Sequence, residues 1–428
     1  MRPGPFAPAV TGTTHVVGAG LAGLACATAL VAAGQQVTLY EATDHAGGRC
    51  RSWYDAKLDR TIDNGNHLIL GANRECLTYL DRVGGRDGLQ TVDPVCLPFR
   101  DLQTGENWAL RPGLGPLPLW LADPHRRVPD SRLVDYLRVL TLAFAGPDRR
   151  VIDLLPESHP LTARLWKPLA VSILNTPYEE GSARLLWAVF RQTLLRGAEA
   201  CRPYIAGPGG LSAALVDPAL NFLAKAGGDV RFGKRLKALY RSANGAVDLL
   251  DFGTEMIRLT PDDRVVIALP AETVGALLPT LSIPDRSHGI LNAHYRLDQS
   301  AQLPGGLPLL GLTGGIAEWL FVREDVVSVT VSAADTLINR PVDDLLALLW
   351  RDVAAALGRD PDRPAMGRLI KERRAGFAAT PDQNRRRPGI RHGPNLFLVG
   401  DWTDTGLPAT IEGAVQSGHR AAALVTAA

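Results

Sequence analysis

The clearest hydrophobic pattern lies in the first forty residues. "HVV", His15–Val17, is a short apolar run that predicts a strand. An Ala/Leu-rich stretch after Gly20 predicts a helix ending near Gly34, and "QVTLYE" predicts a second buried strand ending at Glu41. No Asp, Glu, Lys or Arg occurs between Arg2 and Glu41. That length also suits a membrane span, and Arg2 with an alanine-rich end mimics a secretion signal. The glycines argue otherwise. Gly18, Gly20 and Gly23 fit G-x-G-x-x-G between the strand and the helix. Glu41 follows 18 residues later, near the spacing of about 20 for an acid that binds a ribose. A helix buried in a parallel α/β unit needs no charged face. The pattern therefore predicts a dinucleotide site.

Further along, "SRLVDYLRVLTLAFAG" has apolar residues at 133, 134, 137, 140, 142 and 144, a broad helical face. The loop before it, "RPGLGPLPLWLADPHRR", sets Leu117, Leu119, Trp120 and Leu121 beside Arg126 and Arg127. Apolar tips next to basic residues suit an anionic bilayer, and packing on the loop's own domain is the plainer alternative. "EWLFVREDVVSVTVSA" predicts a hairpin turning near Arg323 to Asp325, part of an antiparallel sheet that would floor a lipophilic pocket. Near the end, "LFLV" predicts a strand closed by Gly400 and Asp401. Pro408 stands where a helix could begin, with "IEGAVQSGHRAAALV" continuing it.

At 428 residues the chain has room for two or three domains. Its net charge of +2 signals no nucleic-acid partner. Five cysteines without a C-x-x-C pair argue against a disulfide framework or zinc site and fit a reducing cytoplasm. The nine histidines show no metal spacing, so no metal is expected. The first dozen residues, with three prolines, read as a loose leader.

One glycine fingerprint cannot separate NAD from FAD. "GGRCRS", Gly47 to Ser52, follows the second strand; its glycines, Gly48 among them, let the chain turn under a diphosphate that Arg49 can neutralise. At the C-terminal strand end, Asp401 can hydrogen-bond a polyol. The following helix N-terminus could face a flavin and stabilise its reduced anion. An ordinary terminal βα unit is the alternative.

Taken together, "VVGAGLAGLACATAL", "YEATDHAGGRCRS" and "GDWTDTGLPATIEGAVQSGHRAA" resemble the FAD-dependent amine oxidase and carotenoid desaturase superfamily. Within it, "RTIDNGNHLILGAN" and "DWTDTGLPATIEGAV" resemble the squalene-associated desaturase-like flavoproteins, the hydroxysqualene dehydroxylases of bacterial hopanoid synthesis. The resemblance implies an α/β fold: a Rossmann-like FAD-binding domain with a discontinuous α+β substrate domain. The flavin domain would comprise residues 1–95, 204–285 and 386–428, and the substrate domain 96–203 and 286–385. "RVVIALP" (264–270) would be a buried strand of the flavin sheet. The implied FAD contacts are Gly18, Gly20, Gly23, Glu41, Gly48, Arg49, Asn66, Leu236, Gly400, Asp401 and Ile411, with Leu236 near adenine and Asn66 and His67 beside the isoalloxazine.

The implied reaction is reductive dehydroxylation of hydroxysqualene, a lipophilic isoprenoid, to squalene. It needs an acid because hydroxide is a poor leaving group. His67 is the first candidate and Asp404, raised by burial, the second. A carotenoid-type desaturase running hydride the other way and a prenyl-binding escort protein without redox function are rivals. So is an amine oxidase, against which an aromatic content of 6% weighs. No second G-x-G-x-x-G appears, so the electron donor is expected to be external. The expected location is cytoplasmic, with peripheral contact to the inner face of the membrane.

Overall fold

A computed structural model describes residues 12–115, 118–303 and 306–427. Except for Gly12, the expected leader lies outside the described residues, and so does Leu117.

The segment that could have been a membrane span folds as a strand (Thr13–Val17), a glycine turn and a helix (Leu21–Ala32). The strand is the middle of a five-stranded parallel sheet. In order across it stand Asp229–Arg231, Gln36–Tyr40, Thr13–Val17, Arg264–Ile267 and Leu396–Leu398. The chain thus returns to one sheet from four distant stretches. The helix Leu21–Ala32 is buried almost all round because the final helix, Ile411–Thr426, lies against it. Contact is close enough that a Cβ at Gly418 would fall 2.3 Å from the Ala22 carbonyl oxygen.

A second sheet has seven strands, in spatial order Met366–Phe377, Ser287–Arg296, Val326–Val331, Trp319–Arg323, Leu309–Thr313, Leu97–Asp101 and Asn107–Leu110. The expected hairpin is present, with Glu324 at φ 56° in its turn. The last two strands come from a block that reads in sequence as loops and helices. Leu97, Pro98 and Phe99 are all buried, so their period of two is masked. One face of this sheet, including Leu291, Ala293, Tyr295, Leu320 and Val329, packs on the helix Val342–Leu357. The other face carries Asn292, His294, Ser328 and Thr330 and looks toward residues 61–67.

The stretch 133–144 departs from its expected form. It is a short α-helix, Leu133–Leu137, followed by a 3₁₀ segment, Arg138–Phe144. Tyr136, Val139 and Leu142 are buried, at the three-residue spacing that a 3₁₀ turn eclipses. Leu133, Val134, Leu137, Leu140 and Phe144, most of the face read as apolar, are 42–89% exposed.

Candidate active site

The glycines of the first turn do different work. Gly18 has φ +107°, and a Cβ there would sit 2.4 Å from the Ala268 carbonyl oxygen. A Cβ on Gly23 would sit 1.9 Å from the Gly18 carbonyl oxygen. Both are packing glycines. A Cβ on Gly20 would meet no protein atom within 4 Å. Gly20 bridges to Gly47, and Gly48 lies so close that its Cβ would be 3.4 Å from the Gly20 Cα. Three glycine backbones therefore border one opening at a helix N-terminus, a cradle that a pyrophosphate fits.

Glu41 stands at the end of the neighbouring strand. Its Oε2 accepts the Ala19 N–H at 2.9 Å, and its Oε1 accepts the Thr43 N–H at 3.0 Å and hydroxyl at 3.1 Å. A carboxylate has about four acceptor positions, so capacity remains for a sugar hydroxyl. Backbone N–H groups of Gly233 and Lys234 donate to Thr43 and Glu41, which brings the 233–236 segment alongside. Leu236 itself is buried with Leu250 and Phe252.

"DNGNH" is pinned at its start. Asp63 accepts from the Ser52 hydroxyl at 2.6 Å, the Leu211 N–H at 2.9 Å and Arg323 at 2.7 Å. Asn66 Nδ2 donates to the Thr330 hydroxyl at 3.0 Å, which donates in turn to Asn292 Oδ1 at 3.0 Å. Asn292 Nδ2 donates to the Asn64 carbonyl at 3.2 Å. The segment is thus fixed to the polar face of the large sheet. His67 is half-buried, with its Nε2 at 3.8 Å from Cys50 Sγ. Burial pushes its imidazole down to about 4. The expectation of a His67 protonated near neutral pH is corrected accordingly: it stands there as a neutral ring.

At the C-terminal strand, Arg49 and Asp401 meet at 2.7 Å, and Arg49 also donates to the Ala375 carbonyl. The Asp401 charge raises the Arg49 guanidinium further above its usual range. The arginine expected to neutralise a diphosphate is therefore already paired with the acid expected to hold a polyol. Gly400 takes φ +147° and donates its N–H to the Ser417 hydroxyl. The final helix starts at Ile411, not near Pro408, and Thr410 caps it by accepting the Gly413 N–H at 3.1 Å. Asp404 is exposed, so the burial expected to keep it protonated is absent. Arg387, buried, donates to the carbonyls of Asp401, Thr403 and Leu407 and stacks on Phe377. It shapes the loop that carries Asp401, and desolvation pushes it down to about 10.

Sequence reasoning missed Asn292, Thr330, His288 and Arg387. A signal existed for two of them. In "SHGILNAHYR" the polar residues His288, Asn292 and His294 recur on even positions while Leu291, Ala293 and Tyr295 are buried between them. A strand with one polar inner face reads this way. Thr330 and Arg387 carry no comparable mark. Elsewhere on the sheet, burial pushes the Glu318 carboxyl up to about 7, against hydrogen bonds from Ser332 and Ser172.

Residues 21–426 match the family described as flavin containing amine oxidoreductase. The chain is 46% identical to the hydroxysqualene dehydroxylase of Rhodopseudomonas palustris over 97% of this chain and 99% of that one. It is 45% identical to the hydroxysqualene dehydroxylase of Sinorhizobium fredii over 96% and 97%. Among solved structures, the cyclohexylamine oxidase of Brevibacterium oxydans superposes with a TM-score of 0.67 at 17% identity, covering 97% of this chain and 98% of that one.

Proposed function

We infer the reaction from one premise: the chain belongs to the flavin containing amine oxidoreductase family and, within it, to the hydroxysqualene dehydroxylases. It is an FAD-dependent oxidoreductase. The proposed reaction is the reduction of hydroxysqualene to squalene, supplying triterpenoid and hopanoid synthesis. The observation that carries it is the identity of 45–46% over nearly the whole of both chains.

Reduced FAD supplies the hydride. The proposed holding groups are Gly18, Gly20, Gly23 and Gly48 for the diphosphate, Glu41 for a ribose, and the 233–236 backbone with Leu236 for adenine. The Arg49–Asp401 pair with Gly400, the Ile411 helix start and Asn66 flank the rest of the cofactor. His67 contributes shape and a neutral hydrogen-bonding edge. The remaining task of the chain is to exclude water and bring one proton to the hydroxyl oxygen. The proposed seams between flavin and substrate portions stay at 95/96, 203/204, 285/286 and 385/386.

The substrate is lipid-soluble, and peripheral bilayer contact at the inner face of the membrane of a cytoplasmic protein belongs to this reading. Among the described residues no helix is long and apolar enough to cross a membrane. The loop first expected to touch lipid is only partly suited. Trp120 and Leu121 are buried, and Arg126 and Arg127 donate to the carbonyls of Pro112 and Leu121. The exposed apolar groups are Leu114, Leu119 and the 133–144 stripe, with Arg132 and Arg138 interleaved and exposed. A helix lying in the bilayer interface presents such a face. Serine at both Leu137 and Phe144 is expected to abolish sedimentation with anionic vesicles and leave FAD content unchanged. Undiminished vesicle binding refutes the contact.

The reaction is tested by reducing the FAD-loaded protein anaerobically and adding hydroxysqualene. Squalene in the extract by mass spectrometry, with flavin reoxidised, is the expected result. Conversion of phytoene or squalene by the oxidised protein, with hydroxysqualene untouched, would favour the desaturase direction instead.

A further inference from the structure

One buried histidine on the polar wall of the site has no role in what precedes. His288 lies on the strand Ser287–Arg296, on the same face as Asn292 and His294, and is 2% exposed. The Asp335 carboxylate holds its Nδ1, and the second oxygen of Asp335 accepts the Gly289 N–H at 3.1 Å. Asn175 donates to the His288 carbonyl at 3.2 Å, which fixes the backbone on that side. Nε2 is buried and has no hydrogen-bond partner among the described residues. A native fold seldom leaves such an atom unmet, and when it does a ligand is one ready explanation.

Strand register places that ligand. His288 pairs with Gly376. A Cβ on Gly376 would come within 2.5 Å of Ala409 Cβ, 3.6 Å of Arg49 Nη1 and 3.9 Å of Asp401 Oδ2. The histidine therefore stands next to the ground where the second glycine turn and the C-terminal loop meet.

We propose that His288 is the proton donor for the dehydroxylation, with Nε2 directed at the leaving hydroxyl and Asp335 orienting the ring. The inference rests on the reaction read above. In the step, Nε2–H gives its proton to the hydroxyl oxygen, and the C–O bond breaks with its electron pair going to oxygen. Water leaves. The allylic cation would then be quenched by the hydride that reduced FAD would supply when bound, and His288 is left neutral until solvent reprotonates it. Asp335 accepts from Nδ1–H throughout, so the ring keeps one orientation. Asp335, from the turn after Val331, is in direct contact with the imidazole; the backbone of Glu372 and Arg373 passes the neighbouring Gly289, and the Arg49–Asp401 pair lies beyond Gly376.

The test uses the FAD-loaded protein, reduced anaerobically and followed through one turnover with hydroxysqualene across a pH series. The wild-type rate is expected to fall as pH rises, because the step consumes a proton. His288→Ala should lose about 10²–10⁴-fold in that rate, with FAD content and reducibility unchanged. Asp335→Asn should keep FAD and slow the turnover, and NMR on histidine-labelled protein without substrate should show that variant losing the fixed Nδ1–H form of the ring, a change that a role confined to the backbone would not produce. A His288→Ala protein that turns over near the wild-type rate overturns the proposal. If that variant loses FAD, His288→Gln replaces it, and a Gln protein with wild-type rate and pH profile is equally fatal. A wild-type protein that leaves hydroxysqualene intact refutes the reaction itself, and the NMR tautomer readout then still reports whether Asp335 orients the ring.

Discussion

His294 shows how a buried ring bears on the acid stability of the fold. Its Nε2–H donates to the Asp63 carbonyl at 3.1 Å and its Nδ1 accepts from the Ser328 hydroxyl at 2.7 Å, so the neutral tautomer satisfies both ends. Burial pushes it down to about 4, as it does His67. Between the ordinary 6.5 and about 4 the unfolded chain binds protons that the folded chain refuses. Stability is expected to drop as pH falls through that window, and thermal unfolding followed by circular dichroism should show it. Glu318 has the opposite sign. Its carboxyl is pushed from 4.5 to about 7, so the folded state holds the extra proton and stability falls as pH rises between those values. Glu318→Gln should flatten the neutral-side fall and leave the acid-side one. The fingerprint glycines differ as sharply. Gly20→Val should fold but lose FAD, because its side chain enters the opening and no protein atom. Gly23→Ala should destabilise the chain itself by a few kcal/mol, on the order expected for overpacking, because its Cβ meets backbone. Retained flavin in the first variant, or an unchanged melting temperature in the second, would contradict the division of roles.

Elements were legible where one physical signal dominated. The first βα unit could be read because glycine spacing and an uncharged helix point the same way. The hairpin around Glu324 could be read because alternation flanks a polar turn. The stretch 133–144 could not, because its apolar residues fit a 3.6-residue period while the chain buries Tyr136, Val139 and Leu142 on a period of three. Hydrophobic pattern says which residues avoid water and is silent on whether protein or lipid takes them. The 400–407 loop is another case. It is held by Arg387, whose bonds reach backbone carbonyls across many residues and leave no trace in spacing. Arg387→Met is expected to cost stability, since three buried carbonyls lose their donor at about 1–3 kcal/mol each before relaxation. FAD retention should fall in parallel, measured as flavin absorbance per protein after gel filtration; full retention would show that the loop holds its shape without it.

At the level of the whole molecule, the cofactor residues were carried over by resemblance one segment at a time, whereas contacts between distant segments decide what each side chain meets. Arg49 and Asp401 were foreseen separately and are found together. Asp63 joins Ser52, Leu211 and Arg323, three stretches no local pattern connects. The five-stranded sheet takes this furthest. Thr14 pairs with Arg264, and Val266 with Phe397. During synthesis the glycine turn leaves the ribosome early, yet its strand must wait for one partner from the middle of the chain, and that partner's outer edge for another from near the end. Long-range pairing of this kind is slow to form. The sheet behind the glycine turn is therefore a joint product of stretches far apart in the chain, and the opening at Gly20 is held in shape by all of them.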